Sequence, residues 1–463
     1  MFEKDVYINR RNALKKCLGS GLILLQGNGE SPMNYPDNCY SFRQDSSFIY
    51  FIGIDTPDLT YLLDIDEDRE ILFGNELSMD DIIWMGSLPQ LKERAASSGI
   101  ETVQSPDKLK ETLQQALYSG RTIHYLKPYR YQNLLILSEL LDKKTSETVN
   151  GFSKELTKAV VDLRMIKEDI EITELEDAAE IGYEMHLTAM KMCKPGVTER
   201  EIAGVIEGIA LSKGNRVAFP TILSQNGQIL HNHNHNGVLE SGRLMLTDAG
   251  AENINYYASD FTRTIAVGGE YSQKQKEIHS IVLNTINTCM SRIKPGIPYH
   301  EIHREAYRII FEGLKELGIT KGNTEEALNE GIPALFMPHG LGHAMGIDVH
   351  DMEDLGEDIV GYDDEIKRSA QFGYRSLRLG RRLQEGFVLT VEPGIYFIPQ
   401  LIEKWKSEER GMDFINYDKL KNYYTFGGIR LEDDVLVTGT GSRLLVKKRL
   451  PITVEEIEKT IKG

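Results

Sequence analysis

The chain has 463 residues, enough for two or three domains and a large core, and its 70 acidic against 53 basic side chains leave a formal charge of −17. That balance, with a pI near 5.2, argues against nucleic acid and anionic membrane as partners, and solubility explains it sufficiently. The N-terminal MFEKDVYINRRNALKK lacks the apolar core of a signal peptide and no run approaches bilayer length, so a cytoplasmic location is expected. Cys17, Cys39, Cys193 and Cys289 are scattered without CxxC spacing and read as free thiols.

In chain order, residues 1–150 read as a mixed α/β domain of their own. The β-like runs GLILLQG and SFIYFIGI interleave there with helical patterns such as PDKLKETLQQAL. The polar stretch KKTSETVNGFS, residues 143–153, marks the boundary, and a second domain is expected over 155–463. That domain opens with VDLRMIKEDIEITELEDAAEIGYEMHLTAMKM, read as a long amphipathic helical region that stops at Lys194-Pro195-Gly196. One hundred residues later IHSIVLNTINTCMSRI stops at Lys294-Pro295-Gly296. Each stop is followed by another helix pattern, TEREIAGVIEGI and YHEIHREAYRII. KPG is a common helix terminator, and this spacing alone leaves an internal repeat and coincidence equally open.

Five short apolar-framed motifs carry the chemistry: LTDAGAE around Asp248, ASDFTRT around Asp260, PHGLGHAMGIDVHD around His343, LTVEPGIY around Glu392 and GIRLEDD around Glu432. Leu244, Leu246 and Val267 frame two β-like runs joined through Glu252–Tyr257, where Asn253 and Asn255 tolerate turn conformations. Antiparallel pairing of those runs brings Asp248 and Asp260 together although they are twelve positions apart. A carboxylate among apolar strand residues is costly to desolvate unless a cation or donor compensates it. Either Asp alone would be a turn cap or a surface acid; the five motifs together form the four-carboxylate, one-histidine set that two adjacent divalent metals require. Hard oxygen donors of this kind suit Mn²⁺, with Zn²⁺, Co²⁺ or Fe²⁺ able to occupy the same site. His231, His233 and His235 alternate in ILHNHNHNG, where a solvated loop is favoured over a further metal site.

The five motifs, in that order, resemble the pita-bread metallopeptidases, and their flanking words resemble the proline-specific branch of aminopeptidase P and prolidase. FRQDSSFIYFIG, residues 42–53, is similar to part of the N-terminal domain of that branch, so the resemblance covers nearly the whole chain. It implies a fold of the α/β (α+β) class, an N-terminal mixed α/β domain followed by a pseudosymmetric pita-bread catalytic domain, and it favours the repeat. It implies two divalent metal ions held by Asp248, Asp260, His343, Glu392 and Glu432. Glu392 is also implied as the proton shuttle, His350 as the oxyanion stabiliser and His231 as a catalytic contact. His339, Arg378 and Arg430 are assigned to substrate binding, Arg378 matching a prolidase arginine that holds the substrate's terminal carboxylate. A surface role beside Arg375, Arg381 and Arg382 is equally open for Arg378.

The chain departs from the family pattern in two places. The two Asp ligands are one residue farther apart than is usual, which predicts a bulge or a longer turn loop, and the stretch between Glu392 and Glu432 is long in the manner of prolidase. The leading expectation is a dinuclear Xaa-Pro aminopeptidase acting on peptides with proline at the second position, as a homodimer. A prolidase restricted to dipeptides is the nearest rival, and a metal-free binding protein on the same fold is a remote one.

Overall fold

In the computed structural model, which describes residues 1–463, the chain divides into two units. One comprises Met1–Arg164 with Asp354–Ile359, the other Met165–Glu353 with Val360–Gly463. The first is built on a five-stranded sheet ordered β4-β3-β2-β1-β5, with β1 at Leu22–Gln26, β2 at Thr60–Asp64, β3 at Arg69–Phe73, β4 at Thr102–Gln104 and β5 at Ile123–Tyr125. Alternate residues Leu22 and Leu24 turn one face of β1 into a core with Leu62, Ile71 and Phe73, which Leu109 and Leu113 of the helix Asp107–Tyr118 cover.

The run SFIYFIGI is not a strand. Residues Ser46–Ile52 form a helix, which Asp45 starts by accepting a hydrogen bond from the Phe48 amide (2.8 Å) and Gly53 ends at φ +66°. Every residue from Ser47 to Ile52 is buried, so the sequence shows no polar face, and an all-apolar run does not distinguish buried helix from buried strand.

The expected long helical region is also interrupted. It folds as Lys154–Met165 and Asp169–Met192, separated where the buried Lys167 pairs with Asp351 (3.1 Å) and its amide donates to Gly386 O (2.8 Å). No helix is long and apolar enough to cross a membrane.

The second unit repeats itself. The helices Asp169–Met192 and Glu199–Lys213 form one pair, Gln273–Arg292 and Tyr299–Glu316 the other. Between the members of each pair stands a KPG stop whose glycine, Gly196 or Gly296, has φ +87°. Gly196 N donates to Leu239 O (2.9 Å) and Gly296 N to Leu383 O (2.8 Å), and single bridges Thr198↔Val238 and Pro298↔Arg382 follow each stop. The strands of this unit are β6 at Arg216–Val217, β7 at Ile222–Ser224, β8 at Leu244–Ala249, β9 at Ala251–Glu252, β10 at Phe261–Ala266, β11 at Val388–Val391, β12 at Gly394–Tyr396, β13 at Gly428–Arg430, β14 at Asp433–Val437 and β15 at Ser442–Leu444. They make two three-stranded sheets, β10-β8-β7 and β11-β14-β15, and the pairs β12-β13 and β6-β9. Asp248 follows Leu244, the start of β8, by the same interval that Glu392 follows Val388, the start of β11. The pseudosymmetric architecture expected from the sequence is present. The long stretch after β12 folds into the helix Pro399–Ser407 and a ring cluster of Phe397, Tyr423 and Phe426.

Arg263 on β10 ties the halves together. Its guanidinium is fully buried, and all five of its N–H groups are used. Nη1 donates to Thr262 O (2.9 Å) and Glu432 O (2.7 Å), Nη2 to Asp433 Oδ1 (2.6 Å) and Leu450 O (3.1 Å), and Nε to Pro451 O (2.9 Å). Arg263→Met leaves four carbonyls and Asp433 Oδ1 without their donor, Asp433 keeping only Arg449 on its other oxygen, and is expected to cost roughly 3–5 kcal/mol in urea unfolding. Arg263→Lys should recover only part of that loss, because an ammonium has three donors and no planar fork. A wild-type midpoint for the methionine variant would refute this accounting.

Candidate active site

Strand register places the acids. β8 and β10 pair antiparallel with Asp248 opposite Thr262. Asp260 precedes Thr262 by two, and with a side-chain period of two all three share a face. The ladder runs without a bulge through the Glu252↔Ala258 bridge to Asn253 N, which donates to Tyr257 O (2.9 Å). The additional residue therefore lies in the loop. Tyr256 takes φ +74° there, and Asn253 Oδ1 accepts from the amides of Asn255 (3.0 Å) and Tyr257 (3.1 Å). Gly250 is required beside Asp248's strand end, since a Cβ there would lie 1.7 Å from Ser259 O.

The second pair is made the same way. β11 pairs β14 with Val391 opposite Asp433, and β12 pairs β13 with Gly394 opposite Arg430, so the two registers converge on Glu392 facing Glu432. Pro393 breaks the strand between them, and its carbonyl accepts from Leu431 N (3.3 Å). A Thr262↔Glu432 bridge joins this hairpin to the first, and Thr262 Oγ1 donates to Glu432 Oε2 (2.6 Å).

His343 enters from a loop laid along β11, its amide bonded to Thr390 Oγ1 (3.1 Å). Its Nδ1 faces Ala344 O at 3.1 Å and must carry the proton there. Nε2 is thereby a lone pair, 3.4 Å from Asp260 Oδ2 and 3.8 Å from Glu392 Oε1. Donor atoms of Asp260, His343 and Glu432 all lie within 4.8 Å of one another.

Burial and mutual repulsion set the electrostatics. Burial, then Asp248, raises the Asp260 carboxyl well above its usual range, and burial, then Asp260, Glu392 and Asp248, does the same to Glu432. Glu392 is pushed up to about 8 by burial and by Asp260 and Asp248, against the counteracting charge of Arg430. Burial holds His343 and His350 at about 4 and His339 at about 3. Asp248 Oδ1 and Asp260 Oδ1 are buried with no hydrogen-bond partner. Unpaired buried carboxylate oxygens, one imidazole lone pair and no thiolate form a donor set that a hard or borderline divalent cation fits.

All ten residues singled out from the sequence, His231, Asp248, Asp260, His339, His343, His350, Arg378, Glu392, Arg430 and Glu432, line one cavity of about 440 Å³. Arg430 is more constrained than a substrate contact needs to be. Its guanidinium reaches Asp248 Oδ2, Thr262 Oγ1 (3.0 Å) and the Tyr396 hydroxyl (2.8 Å). His339 Nε2 accepts from the same hydroxyl (3.0 Å), while its Nδ1 faces Gly340 O (2.7 Å). The histidine run 231–235 is a loop. His231 and His233 reach the cavity, whereas His235 Nδ1 bonds Leu223 O (3.1 Å) outside it.

The sequence reading missed Tyr396, Thr262 and Glu353, and the apolar wall of Phe219, Pro220, Ile222, Leu230 and Val349. Two of these carried a signal. Thr262 stands two after Asp260 on a strand, and Tyr396 closes the LTVEPGIY motif itself.

Residues 173–439 match the model of metallopeptidase family M24, and residues 7–124 match that of the aminopeptidase P N-terminal domain. A Xaa-Pro dipeptidase of Homo sapiens is 33% identical over 96% of this chain and 89% of its own length. A probable Xaa-Pro aminopeptidase of Sordaria macrospora is 30% identical over 96% and 91%. Among solved structures, proline aminopeptidase P II from Yersinia pestis superposes over 100% of both chains with a TM-score of 0.81 at 28% identity. The fold and the acid-rich site define a metal-dependent peptidase. The chain belongs to metallopeptidase family M24, whose members use divalent metal ions.

The shifted groups predict a pH signature for the metal-free protein. Glu392 holds its proton to about pH 8 when folded against 4.5 ordinarily, so the folded state binds more protons between those values and stability falls as pH rises through them. The three histidines act in the opposite sense, but only below their ordinary 6.5. From about pH 6.5 to 8 the carboxylates alone set the slope. Thermal unfolding of chelated protein should show a falling Tm across that window, with stabilisation by added Mn²⁺ growing as protons cease to compete. A rising Tm would mean the acids are not crowded as described.

Proposed function

We propose that this protein is a Xaa-Pro aminopeptidase, hydrolysing the bond between an N-terminal residue and a following proline. The observation that carries the reading is the convergence of Asp260, His343 and Glu432 within 4.8 Å, with Asp248 and Glu392, in a cavity that Phe219, Pro220, Ile222, Leu230 and Val349 also line. Asp248, Asp260, His343, Glu392 and Glu432 would hold two divalent cations, Mn²⁺ in our reading, which when bound supply Lewis-acid activation of water and of the scissile carbonyl.

The chain's own groups do the rest. Glu392, whose carboxyl burial already biases toward protonation, takes the proton from the attacking water and returns it to the departing proline nitrogen. His350 lies against the His343 ring, centroids 4.2 Å apart, with Nδ1–H held by Glu353 Oε2, and it steadies the developing oxyanion from Nε2 once that nitrogen carries a proton. His231 and His339 flank the substrate, and His339 is held by Tyr396. Proline offers no N–H on its amide. Phe219, Pro220, Ile222, Leu230 and Val349 give a ring without that donor an apolar surface and exclude water from it.

One observation favours a second reading. Arg378 lines the cavity with its side chain one-third exposed, where a guanidinium could pair with the free carboxylate of a dipeptide and make the enzyme a prolidase. Mn²⁺-reconstituted hydrolysis of a Xaa-Pro dipeptide, a Xaa-Pro-Xaa tripeptide and a longer Xaa-Pro-initiated peptide separates the two. Cleavage of all three is the expected result; cleavage of the dipeptide alone assigns the prolidase, and cleavage of none rejects proline specificity. Asp260→Asn and Glu432→Gln should each abolish turnover and metal retention while leaving the circular dichroism spectrum native. Wild-type rates in either, after stripping and reloading, would overturn the ligand set.

A further inference from the structure

Glu353 lies against two cavity-lining side chains, at the start of the 3-10 turn that follows Met352 at φ +63°, and belongs to none of the five motifs. Its carboxylate meets two cavity-lining groups at once. Oε2 accepts from His350 Nδ1 at 2.6 Å, and Oε1 forms an ion pair with Arg378 Nε at 3.4 Å. The Glu353 and Arg378 side chains are 39% and 33% exposed. A pair that wet contributes little to folding, so stability gives no reason for the bridge.

Geometry gives one. An imidazole whose Nδ1–H is donated to a carboxylate has a fixed ring orientation, and in the neutral form a fixed tautomer, with Nε2 as the remaining nitrogen. His350 then presents Nε2 to the substrate. Through its other oxygen the same carboxylate holds the guanidinium that a substrate's C-terminal carboxylate would have to recruit. An occupied Arg378 is a weaker anchor for that terminus, which disfavours dipeptides relative to longer peptides whose C-terminus lies elsewhere.

We propose that Glu353 is a positioning residue of this active site, fixing His350 through Nδ1 and restraining Arg378 so that the chain accepts Xaa-Pro peptides longer than a dipeptide. The proposal rests on the Xaa-Pro peptidase reading given above and adds to it the group that sets length preference.

Three Glu353 variants test it. Glu353→Ala removes both contacts and should lower kcat on a Xaa-Pro-Xaa tripeptide by about 10- to 100-fold, the usual effect of losing a hydrogen-bond partner behind a site residue, with metal content and Tm unchanged. Glu353→Gln keeps an oxygen for His350 Nδ1–H but has no charge for Arg378. It should regain most of the tripeptide kcat while lowering KM for the free Xaa-Pro dipeptide relative to its C-terminal amide. Glu353→Asp, with a shorter reach, should fall between the two.

A readout independent of turnover is the imidazole ¹⁵N spectrum of the Zn²⁺-loaded protein, with His350 assigned by its loss in His350→Ala. The wild type should show the Nδ1–H form and Glu353→Ala should lose it. An Nε2–H wild type, or wild-type kcat in Glu353→Ala with unchanged dipeptide and amide KM, overturns the proposal. If the wild type cleaves no Xaa-Pro peptide the functional reading itself fails, and the ¹⁵N spectrum still decides whether Glu353 fixes His350.

Discussion

Four carboxylates gathered into one largely dry pocket repel one another, and the rest of the catalytic unit is arranged around that constraint. Asp260 and Glu432 are 5% and 2% exposed. At such depth each negative charge raises the proton affinity of its neighbours, so without compensation the pocket would retain protons instead of ligating. Arg430 supplies one fixed positive charge against Asp248, and Thr262 a hydroxyl to Glu432. Those two partners do not reach Asp248 Oδ1 or Asp260 Oδ1, which remain buried and unpaired. Divalent cations of the kind that family M24 uses would neutralise what one guanidinium and one hydroxyl do not.

Holding mutually repelling acids in place demands a stiff frame, and paired strands provide it. Asp248 and Asp260 come from one antiparallel ladder, Glu392 and Glu432 from its counterpart in the second half. Neither ladder alone collects the set. The seam between them is closed by the Thr262↔Glu432 bridge and by Arg263, which spends its five donors on both halves and on Leu450 and Pro451. A charge buried in this way is stabilising only because every donor is satisfied. The arginine directly follows Thr262, so successive residues of one strand serve opposite faces, the hydroxyl the site and the guanidinium the seam.

What could be read in the sequence follows from the range of the forces involved. Helices with a polar face were legible: the KPG-flanked helices and Asp107–Tyr118 stand where the periodicity put them. Ser46–Ile52 was not, because a segment buried on every side loses the periodic signal that separates helix from strand. The break at Lys167 was hidden for a different reason. Its partner, Asp351, is 184 residues away, and a long-range ion pair overrides local helix propensity without marking it. The acids were legible because they sit in strand words of fixed period. Glu353 was not, since it lies outside those words and its role depends on which side chains the fold brings beside it.

The three histidines around the acids show how the protein controls its own nitrogen atoms. His339, His343 and His350 each direct Nδ1 at an oxygen of the chain: Gly340 O, Ala344 O and Glu353 Oε2. Two of those acceptors are backbone carbonyls, which are neutral, fixed by the fold and insensitive to solution conditions. The third is an ionised side chain, which its hydrogen bond from His350 and the charge of Arg378 hold down to about 2 against the opposing effect of burial. A carbonyl can orient an imidazole but contributes no net charge when the ring gains a proton, whereas a carboxylate does both. Of the three short Nδ1 contacts, only that of His350 is to an ionised carboxylate, which would balance a proton gained at Nε2.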